Sequence, residues 1–297
     1  MVSASLPESF TPSYLRQLEL LRLRARRAFL GSRQGGHLSL KKGHGIEFSD
    51  YRKYELGDNP RHIDWGLYGR SERLYVKRFQ EEQDIGVVLL LDGTASMRVP
   101  ESGIKWLRAK ELALSLAYVG FMQRDTVRLV CPGGYYGSRV TSPSALYRLA
   151  DDLEQLPPIQ PQAFISGVSR AMSMVRFPGL AFVLSDFLYP FEQVESLFRE
   201  LRAKNLDVCA LQVLSHSEID PDFASRDLLL VDSETGRELP LVMSESVRKE
   251  YLYRLHQHNL KLEDFFRSSG VRFLRSEAQQ ELHEFVQIHL AQSGLLT

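Results

Sequence analysis

The sequence predicts an α/β fold in which a doubly wound, mainly parallel sheet carries helices on both faces. Short apolar runs alternate with longer segments of helical periodicity from residue 84 onward, which is the pattern of such sheets. The runs are nearly continuous, as in Ile85–Leu91, because strands of a parallel sheet are buried on both sides. A dense mixture of aromatic and charged residues at 35–83 predicts a small β-containing subdomain ahead of this domain.

The N-terminal region, residues 1–34, is expected to hold an amphipathic helix. Leucines recur at helical spacing between residues 14 and 30, with arginines on the other faces. The glycines that follow residue 30 end the predicted helix. In the strand-and-loop subdomain at 35–83, the alternating run "RLYVKRFQ" predicts a strand, and Gly-Asp-Asn-Pro predicts a turn.

The third region, residues 84–297, is expected to be an α/β domain with a C-terminal helical extension. Ile85–Leu91 is its most continuously apolar strand and should lie at the centre of the sheet. A hairpin is predicted over residues 227–243, with its turn at Glu-Thr-Gly. The other predicted strands are 126–131, 179–186, 206–214 and 271–275, and the predicted helices are 104–123, 142–156, 166–175, 191–204, 245–267 and 277–291.

Composition narrows the class of partner and the compartment. Lysine plus arginine equals aspartate plus glutamate, at 37 each, which argues against a nucleic acid or an acidic membrane surface as the partner. Arginines between residues 16 and 27 could contact phosphates, or they could form a solvated helix face. No apolar run reaches the length of a membrane span, about 18 residues, and no signal pattern opens the chain. Cys131 and Cys209 lie in apolar runs, so we expect buried free thiols and a cytoplasmic location.

Polar oxygens follow the strand Ile85–Leu91 at every second position, in Asp92, Thr94 and Ser96. Asp186 ends a later strand, and the carboxyl ends of neighbouring parallel strands meet at one edge of a sheet. Carboxylates and hydroxyls are hard donors that suit Mg²⁺ or Mn²⁺ better than Zn²⁺. The alternative is structural: Asp92 caps the turn and the hydroxyls bind loop amides.

The D-x-T-x-S run resembles the D-x-S-x-S opening of the metal-ion-dependent adhesion site of von Willebrand factor A domains, with Thr94 in place of a serine. A more specific likeness lies ahead of it. The run "EFSDYRKYELGDNPRHIDW", followed by "LYVKRF" and "LLLD", resembles the bacterial family called domain of unknown function 58, over roughly residues 35–215. The residues that match the signature of this family are Arg52, Tyr54, Gly57, Asp58, Arg61, Ile63, Asp64 and Trp65.

The resemblance implies a von Willebrand factor A-like domain that acts as a protein–protein interaction module and not as an enzyme. It implies an Mg²⁺ or Mn²⁺ site at Asp92, Thr94, Ser96 and Asp186, with an open coordination position that a partner's acidic side chain completes. It also implies a partner, a MoxR-type AAA+ ATPase, for which the chain would be an adaptor or co-chaperone. Composition and spacing by themselves do not indicate that partner.

One position departs from the family pattern. The adhesion site takes a threonine from a loop before the helix predicted at 166–175, and this loop reads "PQAFI" here, which puts Ala163 at the threonine position. Alanine offers no oxygen ligand, so weak divalent-ion binding is expected. Ser166 is near, but its place at the predicted helix start is more typical of an N-cap.

Two alternatives accompany these predictions. The paired Arg and Asp of the signature block, with Tyr and Trp, could form a recognition surface or a salt-bridge network that orders the subdomain, and we favour the network. A divalent-metal-dependent hydrolase using Asp92 and Asp186 is the alternative function. Against it, the eight histidines do not converge by spacing, although His44 and His62 fall in the signature block, and no P-loop or nucleophile elbow occurs.

Overall fold

The structure, a computed structural model, divides into two compact units, one formed by residues 1–30 and 85–297 and the other by residues 31–84. Two predicted candidates, His44 and His62, lie outside the described residues. The described residues are 5–24, 46–58, 60, 63–81, 86–99, 103–175, 179–204, 206–221, 227–242 and 244–297.

Helices and strands occupy most of the described chain. The strands are β1 (Ile46–Lys53), β2 (Tyr75–Glu81), β3 (Gly86–Leu91), β4 (Thr126–Cys131), β5 (Tyr135–Tyr136), β6 (Gly179–Ser185), β7 (Asp207–Leu214), β8 (Asp227–Val231), β9 (Glu238–Val242) and β10 (Arg272–Glu277). The helices are α1 (Pro12–Leu18), α2 (Trp65–Ser71), α3 (Ile104–Met122), α4 (Ala145–Glu154), α5 (Pro161–Ser173), α6 (Phe191–Arg202), α7 (His216–Ile219), α8 (Glu245–Ser269) and α9 (Leu282–Glu284). A short 3-10 helix, Ala95–Arg98, follows β3, and a π-helical turn, Phe285–Leu290, extends α9.

Six strands of the larger unit form one sheet in the order β10-β7-β6-β3-β4-β5. Neighbouring strands are parallel except for β4 and the short edge strand β5. Numbered by appearance within this sheet, the strands follow the order 3-2-1-4-5-6 of doubly wound folds, whose switch point lies between strands 1 and 4, here β3 and β6. The predicted architecture, with β3 inside a mainly parallel sheet, is confirmed.

Alternate side chains of β3 fill cores on opposite faces of the sheet, because successive residues of a strand point to opposite sides. Val87, Leu89 and Leu91 pack in one cluster with residues of α1, α3 and α4. Val88 and Leu90 pack in a second cluster with residues of α5, α6 and α8. Helices therefore cover both faces, as the near-continuous apolar strands predict.

The N-terminal helix is shorter than the sequence predicts. A helix is expected over residues 14–30, and it ends at Leu18. It begins at Pro12, and proline is favoured at the first helical position. The buried side chains of Tyr14 and Leu18 join it to the core of the larger unit. Residues 25–30 lie outside the described residues.

Residues 22–24, within the predicted helix, instead form backbone hydrogen bonds with residues 295–297. The Arg22 amide donates to the Thr297 carbonyl at 2.9 Å, and the Thr297 amide donates back at 3.0 Å. Leu23 and Leu296 form the bridge between these two segments, and both side chains are buried. The leucine spacing therefore serves an extended segment as well as a helix, since tertiary packing overrides local preference.

Two other boundaries differ from the prediction. α5 begins at Pro161, whose fixed φ suits a first helical position, so Ala163 lies in the first turn of a helix and not in the predicted loop. Strand β10 continues to Glu277, so the C-terminal helix predicted at 277–291 begins only at Leu282.

Two further predictions are confirmed in the larger unit. β8 and β9 pair antiparallel, as the hairpin expected over 227–243 requires. Cys131, at the end of β4, and Cys209, within β7, are buried, and neither forms a disulfide bond in the described part of the chain.

The described part of the smaller unit contains one antiparallel pair of strands and one helix. β1 pairs with β2, with an irregularity between Phe48 and Asp50. β2 confirms the strand predicted from "RLYVKRFQ". α2 begins after Asp64, whose carboxylate accepts a hydrogen bond from the Leu67 amide at 3.0 Å, which is the usual role of an N-cap aspartate.

Candidate functional site

Two acidic side chains lie at the carboxyl edge of the sheet, at its switch point. Asp92 directly follows β3, and Asp186 directly follows β6, the neighbouring parallel strand. The Asp92 amide extends this pairing by donating to the Leu184 carbonyl at 2.9 Å. Both side chains are buried, with exposed fractions of 0% and 1%. The structure therefore brings the two predicted acids to adjacent strand ends.

Four hydrogen bonds surround the Asp92 carboxylate. Oδ1 accepts from the Thr94 amide at 3.0 Å and from the Thr94 hydroxyl at 2.7 Å. Oδ2 accepts from the Ser185 hydroxyl at 2.6 Å and from the Tyr189 hydroxyl. Burial, and secondarily the charge of Asp186, raises the pKa of Asp92 to about 6, although the hydroxyl bonds oppose the shift. All four donors are neutral, so these bonds leave the charge of Asp92 without a cation.

The hydroxyls of Thr94 and Ser96 adjoin this carboxylate. Thr94 Oγ1 lies 2.7 Å from Asp92 Oδ1 and 3.1 Å from Ser96 Oγ. Neighbouring ligands of an octahedral Mg²⁺ ion lie about 2.9 Å apart, and each of these two separations is close to that spacing. No group of three or more His, Cys, Asp or Glu side chains suited to a metal ion occurs in the described parts of the chain. An ion here would therefore depend on hydroxyl ligands.

Asp186 is paired with a buried cation. The Lys105 ammonium, with an exposed fraction of 0%, lies 2.9 Å from Asp186 Oδ2 and 2.5 Å from Glu218 Oε1. Burial would lower the pKa of Lys105, but the two carboxylates outweigh it and the pKa is raised. A capping box with Ser215 fixes Glu218 at the start of α7. The two acids at the switch point thus differ: Asp186 has a cationic partner, and Asp92 has neutral donors.

The hairpin between β8 and β9 also reaches this edge. Glu234 lies in the turn of this hairpin, and its Oε1 accepts a hydrogen bond from the Ser96 amide at 2.8 Å. Burial raises the pKa of Glu234, the amide of Ser96 opposes this shift, and the charge of Asp186 adds to it. A third carboxylate therefore lies beside the predicted oxygen donors.

Sequence reasoning missed Lys105, Tyr189 and Glu234. A lysine on the apolar first turn of α3 is a signal that could have indicated a buried ion pair, because an unpaired buried ammonium is costly. Tyr189 and Glu234 reach the site only through the fold, and no local pattern indicates either of them.

The backbone beside the two acids is tightly constrained. A Cβ on Gly93 would lie 2.5 Å from the Cys131 sulfur, so only glycine fits between Asp92 and Thr94. Phe187, directly after Asp186, has a φ of +54°, a conformation that costs a residue other than glycine about 1–3 kcal/mol. Such strain persists only where the surroundings fix the backbone.

The segment before α5 supplies backbone contacts to this loop. The Ile159 amide donates to the Gly93 carbonyl at 2.8 Å. The Ser166 hydroxyl donates to the Gln162 carbonyl at 2.8 Å, within α5. The N-cap of α5 is Gln160, so the interpretation of Ser166 as an N-cap is wrong.

The first half of the signature block forms an ion-paired turn in the smaller unit. The Arg52 guanidinium lies 2.7 Å from Asp58 and 3.3 Å from Glu55. The amide of Glu55, and then Arg52, lowers the pKa of Asp58. Gly57 has a φ of +109°, a conformation that favours glycine. The Tyr54 amide donates a hydrogen bond to the Leu74 carbonyl at 3.0 Å. These residues order the turn that follows β1.

The second half divides between structure and surface. Asp64, besides capping α2, accepts a hydrogen bond from the Tyr51 hydroxyl at 2.9 Å. Trp65 is 61% exposed and packs edge-on against Tyr68, with ring centroids 6.0 Å apart. Arg61 lies outside the described residues. Among the described signature residues, Trp65 therefore presents most of its side chain to solvent.

The doubly wound sheet, with a D-x-T-x-S run at its switch point, is the arrangement expected of a von Willebrand factor A-like fold. The model of one family, described as "Protein of unknown function DUF58", matches residues 50–261 of this chain. The match covers more than half of the sequence, and the chain belongs to this family.

Curated relatives extend the likeness over most of the chain. The proteins named Uncharacterized protein Rv1480, from Mycobacterium tuberculosis strain H37Rv, and Uncharacterized protein Mb1516, from Mycobacterium bovis, are both 24% identical to it over 274 residues. Each match covers 89% of this chain and 84% of the relative.

Three solved structures are similar to this chain. The conserved hypothetical protein BatB from Bacteroides thetaiotaomicron has a TM-score of 0.41 at 11% identity, covering 71% of this chain and 98% of that one. An aerotolerance-related membrane protein from Bacteroides fragilis has a TM-score of 0.39 at 14% identity, and the match covers 70% of this chain and 98% of that one. A von Willebrand factor type A protein from Catenulispora acidiphila has a TM-score of 0.31 at 14% identity, and the match covers 47% of this chain and 35% of that one. Among the helices described for this chain, none combines the length and apolar character that a membrane crossing requires.

Proposed function

We propose that the chain is a protein-binding module that recognises an acidic side chain of a partner at the Asp92 edge of its sheet. Asp92, Thr94 and Ser96 would hold Mg²⁺ or Mn²⁺ there, and Asp186 would add its charge from the adjacent strand. The observation that supports this most directly is the set of oxygen separations, 2.7 and 3.1 Å, which suit neighbouring ligands of an octahedral ion. A bound divalent ion would supply the positive charge that attracts the partner's carboxylate.

The partner that the family resemblance implies is a MoxR-type AAA+ ATPase, with this chain as its cytoplasmic adaptor or co-chaperone. The site chemistry favours binding over the alternative, a metal-dependent hydrolase. A hydrolase would use Asp186 as a free ligand or base, whereas Lys105 lies 2.9 Å from that carboxylate. The buried ion pair therefore occupies the carboxylate that such an enzyme would need.

Affinity capture from a lysate of the source organism tests the proposal, with wild type, Asp92→Asn and Asp264→Asn as baits. Asp92→Asn keeps the side-chain shape and removes its charge. Asp264 is exposed on α8 beside Arg267 and serves as the matched control. Wild type and the control should retain a MoxR-type ATPase in Mg²⁺ and release it in EDTA, and Asp92→Asn should not retain it. Retention by all three baits, or by none, would contradict the proposal.

A further inference from the structure

The tip of the β8–β9 hairpin contacts the Asp92 site. There Glu234 Oε1 accepts a hydrogen bond at 2.8 Å from the amide of Ser96, a residue 138 positions earlier in the chain. The other carboxylate oxygen, Oε2, is buried and has no hydrogen-bond partner among the described residues. A buried carboxylate oxygen without a partner is unusual, because desolvation of a charge is costly. The same carboxylate contacts the amide of Ser96, one of the predicted hydroxyl ligands.

The hairpin turn fixes Glu234 independently of the site. Asp232 Oδ1 accepts the amides of Glu234 at 2.8 Å and Thr235 at 3.1 Å. The Asp232 amide donates to the Arg237 carbonyl at 2.9 Å, and the Gly236 amide donates to the Asp232 carbonyl at 2.8 Å. Gly236 has a φ of +70°, which this turn requires. Glu234 is therefore presented by an ordered turn and does not reach the site through a flexible loop.

The electrostatics of this contact require an explanation. Glu234 approaches an edge that already carries the carboxylates of Asp92 and Asp186, and its observed contact is with an amide, not with a cation. Lys105 forms its ion pairs with Asp186 and Glu218. Like charges repel strongly in a buried environment unless they share a cation. A divalent ion near Ser96 would offset this repulsion.

We propose that Glu234 is an intramolecular carboxylate ligand of the divalent-ion site at Asp92, Thr94 and Ser96, in the position that a partner's acidic side chain takes. This inference rests on the proposed function. The isolated chain is therefore in a closed state, and an acidic partner binds by displacing the hairpin tip.

Calorimetry with Mn²⁺ as the probe, on the full chain, tests this assignment. Glu234→Ala should weaken Mn²⁺ binding at least about tenfold, because it removes a charged ligand. Glu238→Ala, exposed on β9 of the same hairpin, should bind Mn²⁺ as wild type does. Acetate at millimolar concentration should restore binding to Glu234→Ala and leave wild type unchanged, since Glu234 already fills the position. Glu234→Gln, which keeps the side-chain shape, should lose affinity like the alanine variant.

The outcomes separate this inference from the proposed function. If Asp92→Asn abolishes Mn²⁺ binding and Glu234→Ala leaves it unchanged or tighter, the inference is overturned and the proposed function stands. If acetate does not restore binding to Glu234→Ala, the position is not one for a carboxylate and the inference is likewise overturned. Failure of the wild-type protein to bind Mn²⁺ would overturn both the inference and the metal part of the proposed function.

Discussion

Lys105 pairs with only one of the two acids at the sheet edge, Asp186. Its ammonium is fully buried and contacts Asp186 and Glu218. A buried ion costs several kcal/mol unless an opposite charge is close, so the ammonium and the two carboxylates depend on one another. Asp92 has only neutral donors. A divalent ion added at this edge would therefore meet an unpaired carboxylate at Asp92 and an ion-paired one at Asp186.

Lys105→Met tests this dependence, because it keeps the length of the side chain and removes its charge. Asp186 would remain buried without its cation, so the free energy of unfolding should fall by about 3–5 kcal/mol. Lys249→Met, which removes an exposed cation beside Glu245, should change it by less than about 1 kcal/mol. Urea unfolding at pH 7 measures both variants. Equal effects of the two substitutions would show that the buried pair has no special weight.

The pH dependence of stability should report the buried state of Asp92. Burial, and then Asp186, raises its pKa from 3.8 to about 6. A carboxylate whose pKa is higher in the folded than in the unfolded state contributes stability that is complete below about pH 4 and is lost as the pH rises through about 6. In metal-free protein, the free energy of unfolding of Asp92→Asn relative to wild type should therefore rise by about 2–3 kcal/mol between pH 4 and pH 7.

Urea unfolding in EDTA at a series of pH values makes this measurement, with Asp264→Asn as the exposed control. The control should follow wild type at every pH, because Asp264 lies on the surface of α8. A difference between Asp92→Asn and wild type that does not change with pH would show that the pKa of Asp92 is not raised.

At the scale of elements, the signature block combines two kinds of residue. Asp64 caps α2, and the Arg52–Asp58 pair orders the turn after β1. Trp65 follows the cap directly, yet 61% of it is exposed. A short helix such as α2 depends on its cap, because few of its backbone groups bond within the helix. The block therefore needs its polar residues for local order, while Trp65 is available for contact.

Asp64→Ala and Trp65→Ala should separate these roles. Removing the cap should destabilise α2 by about 1 kcal/mol, and truncating the exposed Trp65 should cost less than about 0.5 kcal/mol. Amide hydrogen exchange over residues 65–71, in the full chain, reports the local stability of this helix directly. Faster exchange in Trp65→Ala than in Asp64→Ala would show that the indole packs to hold the helix.

At the scale of the whole molecule, sequence reasoning succeeds where one physical signal dominates. The parallel sheet is predictable because strands such as β3 and β6 are apolar on both faces, and their ends locate Asp92 and Asp186. Register within the N-terminal segment is not predictable, because leucine spacing suits both a helix and the extended contact that Leu23 makes.

The candidate site was only partly predictable for a related reason. Asp92, Thr94 and Ser96 are local in sequence, so spacing alone places their oxygens together. Tyr189 contacts Thr94 across 95 positions, and Glu234 contacts Ser96 across 138. Neither contact leaves a local pattern, since loop lengths and strand order determine them. Long-range partners of a site therefore require the fold itself.

The pairing of the two chain segments near residues 22–24 and 295–297 gives the last prediction. Leu296 is 1% exposed and bridges Leu23, so Leu296→Ala should lower the free energy of unfolding by about 2–5 kcal/mol. Ile288→Ala, in a C-terminal side chain that is 44% exposed, should cost less than about 1 kcal/mol. Because the Arg22 and Arg24 amides donate to Thr297 and Leu295, their hydrogen exchange should also accelerate in Leu296→Ala. Exchange that is unchanged at both amides, with a full loss of stability, would mean that Leu296 supports the core alone and that the N-terminal segment is held by other contacts.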